Sequence, residues 1–68
     1  MQISARNQLK GTIKSIRTGT IMAEVIVDVG GQEVVSAITK TSVEGLGLKE
    51  GEQIIVVIKS TEVMIAKP

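Results

Sequence analysis

The chain is 68 residues long, with eight basic and seven acidic side chains, a net charge of +1, and no Cys, His, Phe, Tyr or Trp. That composition excludes disulfides and thiolate- or imidazole-held metals, removes the commonest nucleophile and proton shuttle, and is too balanced to make a polyanion the main partner. At 7.2 kDa a folded monomer exposes about 4,100 Å² against about 10,400 Å² unfolded, which buries only about 60% of its surface and leaves self-association as the remaining staple for so small a core.

Residues 1–68 read as a single domain. From Leu9 to Ile13, Leu9, Gly11 and Ile13 alternate with Lys10, Thr12 and Lys14, the period of a strand with one wet face. Gly19 supplies a turn. Ile21 to Val29 is the strongest strand signal, with Ile21, Ala23, Val25, Val27 and Val29 on one face and Met22, Glu24, Ile26 and Asp28 on the other. Gly30-Gly31 is a two-residue hairpin turn that needs positive φ, so Gln32 to Thr39 is expected to pair antiparallel with the strand before it.

Thr41-Ser42-Val43-Glu44 has the spacing of a capping box, with Thr41 as N-cap and Glu44 reaching back, and Gly45 and Gly47 hold the helix to a turn or two. Lys49-Glu50-Gly51 turns the chain into Gln53 to Ser60, which continues through Val63-Met64-Ile65. There the apolar residues do not alternate, so both strand faces are expected to be covered, one in the domain core and one by another subunit. Val and Ile supply 19 of the 29 apolar residues, a mix that suits strands. Five extended runs with one short helix before the last predict an all-β fold, a small OB-like Greek-key barrel of about five strands.

No carboxylate pair is spaced for acid/base work, and Gly45-Leu46-Gly47 lacks the Lys-Ser/Thr of a phosphate loop, so the chain is expected not to be an enzyme. The groups that stand out bind anions. Ser4-Ala5-Arg6-Asn7 puts a hydroxyl, a guanidinium and an amide together, Lys59-Ser60-Thr61 ends an apolar strand in an ammonium and two hydroxyls, and Thr39 closes the third strand at the helix start. The rival reading for an OB-like barrel, single-stranded nucleic-acid binding, wants a basic groove and aromatic platforms, and this chain has neither. The N-terminus lacks a signal-peptide pattern and no apolar run is long enough for a membrane span, so a cytoplasmic location with no membrane partner is the expectation.

Ser4-Ala5-Arg6-Asn7-Gln8-Leu9-Lys10-Gly11, then Ala37-Ile38-Thr39 with Ser42-Val43 and Leu46-Gly47-Leu48, then Val57-Ile58-Lys59-Ser60-Thr61-Glu62-Val63-Met64-Ile65 together resemble the molbindins. These are small TOBE-like molybdate-binding proteins whose module recurs in molybdate-responsive regulators and transporter ATPases. The resemblance implies a homohexamer, a trimer of dimers, that takes molybdate or tungstate at subunit interfaces, with no catalytic cofactor. It assigns the oxyanion to Ser4 and Arg6, with Ala5 and Asn7 as backbone or amide donors and with Thr39, Lys59 and Ser60 from a neighbouring subunit. With no DNA-reading helix pair or ATPase domain expected in the chain, storage or buffering of the oxyanion is the role it implies.

Overall fold

Small apolar side chains at every second position, Ala23, Val25 and Val27, call for a strand with one dry face, and that strand lies inside the sheet. The computed structural model describes all 68 residues, Met1–Pro68. In chain order it contains β1 (Asn7–Thr18), β2 (Met22–Val29), β3 (Gln32–Thr39), α1 (Lys40–Leu46), β4 (Gln53–Ile58) and a 3-10 turn at Ser60–Glu62. The strands form one antiparallel sheet in the order β3-β2-β1-β4. The fold is all-β and OB-like, with the short helix before the last strand. It has four strands, because Val63-Met64-Ile65 pairs with nothing in its own chain.

β1 is longer than the alternation in Leu9 to Ile13 predicts. Its register against β2 shifts between Ile13 and Ser15, a bulge that breaks the period at Lys14 and bends the strand. β1 thereby pairs with β4 along its first half, from Asn7↔Ile58 to Thr12↔Gln53, and with β2 from Thr12↔Asp28 to Thr18↔Ala23. The hairpin at Gly30 and Gly31 has φ of 59° and 90°, as the turn requires, and β2 and β3 pair in register from Met22↔Thr39 to Val29↔Gln32.

The helix start corrects the expected capping box. Thr39, not Thr41, is the N-cap, with its hydroxyl accepting from the Ser42 N–H at 3.0 Å. Lys40 N–H donates to the Ile21 carbonyl at 2.7 Å, so the helix is tied to the end of the sheet and begins directly after β3, leaving Thr41 inside its first turn. Gly47, at φ 63°, ends it with its N–H on the Glu44 carbonyl.

Ile13, Ala23, Val25, Val27 and Val43 are the only buried residues, and no polar side chain is buried. Ile21, expected on the same face, lies outside β2 and is exposed. Gly11 sits where the core is tightest. A Cβ there would lie 2.6 Å from Val27 Cγ1 and 2.8 Å from the Asp28 carbonyl, and backbone cannot step aside as a side chain can. Gly11→Ala is therefore expected to cost about 1–3 kcal/mol, the scale of overpacking. At Gly45, inside α1, an added methyl meets nothing within 4 Å, so Gly45→Ala should hold or raise stability through helix propensity. Denaturation midpoints of the two variants check the contrast.

The sheet curls but does not close. β3 and β4 are both free edges, and a trough of about 560 Å³ opens along the inner face, lined by Ile13, Val25, Val27, Ile38, Leu46 and Val56 among others. The chain exposes 5,609 Å², about 1,500 Å² more than a compact monomer of its mass. Its radius of gyration is 12.6 Å, against about 11 Å for a compact chain of this length. On β4, Ile54, Val56 and Ile58 point inward while Ile55 and Val57 face out, 43% and 38% exposed, so the second apolar face read from the sequence is uncovered within a single chain.

Candidate functional site

The antiparallel ladder between β1 and β4 starts at Asn7↔Ile58. It brings the residues just before β1 beside those just after β4, so Ser4-Ala5-Arg6-Asn7 and Lys59-Ser60 meet at one end of the sheet within one chain, where the resemblance had drawn Lys59 and Ser60 from a neighbouring subunit. Lys59 is extended and caps the 3-10 turn, whose first bond runs from the Glu62 N–H to the Lys59 carbonyl at 2.9 Å. The Lys59 carbonyl is turned into that bond, which leaves its ammonium and the Ser60 hydroxyl as the outward groups. Ser4 bends the chain, and the Gln8 side-chain amide donates to the Ala5 carbonyl at 2.6 Å, folding the segment back onto β1.

Ser4, Arg6, Lys59 and Ser60 are exposed, while Ala5 and Asn7 are half-buried. The chain has one ion pair, Lys14–Glu33, so neither the Arg6 guanidinium nor the Lys59 ammonium has a carboxylate partner within it. In that pair the hydrogen bond and charge of Glu33 hold the Lys14 ammonium above its ordinary pKa, with Asp28 adding to the effect. The contrast is chemical. Lysine and glutamate neutralise one another on the outer sheet face, while at the joined strand ends two cations and several hydroxyls stand beside a single acid, Glu62 of the 3-10 turn, which pairs with neither cation, a set suited to an oxyanion. No three carboxylates cluster to hold a cation, and no helix is long and apolar enough to cross a membrane.

Thr39 lies elsewhere. It ends β3, which forms the sheet edge opposite β4, so its own chain does not bring it to Arg6 and Lys59. Its hydroxyl is also in use as the helix cap, accepting from the Ser42 N–H and donating to Ser42 Oγ at 2.8 Å. The proton that faces outward from this pair is therefore that of Ser42, a residue the sequence reading used only as part of the helix signal. Gln8 was likewise passed over as a group with a task. Its position three residues after Ala5 is the one signal for it, since that spacing lets a side-chain amide reach back to a carbonyl.

The TOBE domain family model matches residues 3–65. Molybdenum-pterin-binding protein 3 of Clostridium pasteurianum is 52% identical over 66 residues, covering 96% of this chain and 97% of that protein. Among solved structures, a molybdate binding protein from Sporomusa ovata superposes with a TM-score of 0.94 at 43% identity, over 98% of this chain and 100% of that one. The cytoplasmic molybdate-binding protein ModG, in a form with molybdate bound, gives a TM-score of 0.83 at 48% identity, over 88% of this chain and 43% of that one.

Proposed function

This chain belongs to the TOBE-domain family as a module of the molbindin type, and from that premise we propose that it binds molybdate or tungstate between the subunits of a homo-oligomer and stores or buffers the oxyanion in the cytoplasm. The module is residues 1–68, acting by binding and not by catalysis. The observation that carries this reading is the meeting of Arg6 and Lys59, both without an acidic partner, at the joined ends of β1 and β4. A tetrahedral dianion wants donors on all sides and compensating positive charge. Arg6 and Lys59 supply the charge, Ser4 and Ser60 supply hydroxyls, and the segment around Ala5 and Asn7 supplies N–H groups. Thr39, held at the far sheet edge, joins the shell from a second copy together with Ser42, whose hydroxyl proton is the one the cap leaves free.

Exposed surface and free strand edges support assembly. The excess exposed area of about 1,500 Å² is near twice the 800 Å² or so that one partner contributes to a standard interface. Two free sheet edges flank an apolar trough, and each chain carries an unpaired apolar strand-length segment at Val63-Met64-Ile65. Laying that segment along a second copy closes each sheet with a strand from its neighbour and satisfies the edge N–H and C=O groups. A hexamer, built as a trimer of such dimers, is the assembly we assign.

Anion selectivity tests the chemistry. Near neutral pH molybdate, tungstate and sulfate are fully deprotonated, whereas much of the phosphate keeps a proton that must find an acceptor. The proposed shell offers a guanidinium, an ammonium and N–H groups, with only hydroxyls able to rotate and accept, and a hydrogen bond left unmade in a desolvated site costs about 1–3 kcal/mol. Sulfate passes the proton test but is smaller, so it loses reach to donors spaced for the larger ions. Melting temperatures at fixed pH and ionic strength are expected to rise in the order phosphate, sulfate, then molybdate close to tungstate. At a hundred times its dissociation constant a ligand adds about 2.7 kcal/mol per site. Equal shifts with all four anions contradict a selective site.

A further inference from the structure

We propose that Gln8 is a positioning residue that aims the backbone of the anion loop, an inference that rests on the oxyanion reading of Ser4 to Asn7. Residues 1–6 precede the first strand and belong to no regular element. The side-chain bond that ties this segment to the sheet is the one from Gln8 Nε2 to the Ala5 carbonyl, at 2.6 Å. Gln8 is itself well anchored, since it lies within β1 and pairs with Val57 of β4.

The consequence comes from peptide geometry. A trans peptide is planar, and its C=O and N–H point in opposite directions. Fixing the Ala5 carbonyl therefore also fixes the Arg6 N–H, which must point away from Gln8. One clamp does two things for an anion. It holds the Ala5 carbonyl, whose oxygen would repel a dianion, turned away from the site, and it aims the Arg6 N–H as a donor beside the Arg6 guanidinium. It also removes an acceptor that a protonated phosphate could use, so Gln8 acts on selectivity as well as on affinity. A residue with a merely structural part in β1 has no such effect on the ratio between anions.

The test is Gln8→Met in the full-length chain, which keeps side-chain length and loses the donor. Three measurements are made on it and on the unaltered protein: the anion-free melting temperature, the backbone ¹⁵N relaxation of Ala5, Arg6 and Asn7, and calorimetric affinities for molybdate and inorganic phosphate. The melting temperature is expected to hold, since Gln8 is exposed. The Ala5 and Arg6 amides are expected to gain fast motion, and molybdate affinity to fall about tenfold, the scale of one hydrogen bond of alignment. Phosphate affinity should change less, so the molybdate-to-phosphate ratio drops. Unchanged amide motion overturns the clamp, and so does a ratio equal to that of the unaltered protein. If the unaltered protein takes up no molybdate in the same calorimeter, the oxyanion reading itself fails and the proposal with it. If that protein binds molybdate and Gln8→Met is indifferent, only the clamp fails.

Discussion

Replacing Arg6 or Lys59 with Gln is expected to weaken molybdate binding by about 2–5 kcal/mol each, the range for removing one member of a desolvated, hydrogen-bonded charge pair. In the isolated chain both side chains are exposed and neither has an acidic partner. Their removal therefore leaves no orphaned group inside the protein, and the anion-free fold should survive both substitutions. On the proposed reading the loss belongs to the complex, where assembly would exclude water and the dianion would be the partner the two cations lack. Lys14→Gln serves as the control. It breaks the outer-face pair with Glu33 and should leave molybdate affinity unchanged, since an exposed cation away from the site contributes only screened, long-range attraction. Titration calorimetry on the three variants decides the assignment residue by residue. Unaltered affinity in Arg6→Gln or Lys59→Gln removes that side chain from the site.

Deleting Val63 to Pro68 is expected to abolish assembly and, with it, tight binding. Met64 and Ile65 are 92% and 91% exposed in the single chain. Burying a side chain of this kind contributes about 1.5–3 kcal/mol, so covering Val63, Met64 and Ile65 adds several kcal/mol per chain. A whole domain is stable by only about 5–15 kcal/mol. The deletion should therefore lower the melting temperature as well as the sedimentation coefficient at micromolar concentration. Unchanged sedimentation after the deletion would show that the tail does not join the copies. A folded, stable monomer of the full-length chain would contradict the interface argument altogether.

Much of the architecture could be read from local pattern. Ala23, Val25 and Val27 recur at every second position and form the buried face of β2, and Gly30-Gly31 is the hairpin it resembles. The pattern misled where a structural device interrupts it. The bulge at Lys14 shifts the register within β1, so Ser15 to Thr18 did not read as a continuation of the strand. The helix cap moved to Thr39 because the bond from Lys40 N–H to the Ile21 carbonyl sets where the helix begins, and a capping-box spacing carries no information about that long-range contact.

The site was less legible for the same physical reason. Ser4 to Asn7, Thr39 and Lys59-Ser60 are each short polar strings that could as well be strand ends. Their meaning depends on which ends meet. The β1–β4 ladder joins the first and last of them and leaves Thr39 at the opposite edge, a division that follows from topology and not from spacing. The family resemblance supplied the residue set. The fold adds which of those residues one chain brings together, and it adds Gln8, whose hydrogen bond to Ala5 gives shape to a segment with no regular structure.

Native mass spectrometry with and without added molybdate tests most directly the claim that the oxyanion is held between copies of this chain, because one spectrum reports assembly size and ion count together. The expected species has six times the 7.2 kDa mass of the chain, gains mass in whole molybdate units and resists dissociation better once loaded. A 7.2 kDa monomer that retains no molybdate, or an assembly whose mass is unmoved by the anion, would contradict it.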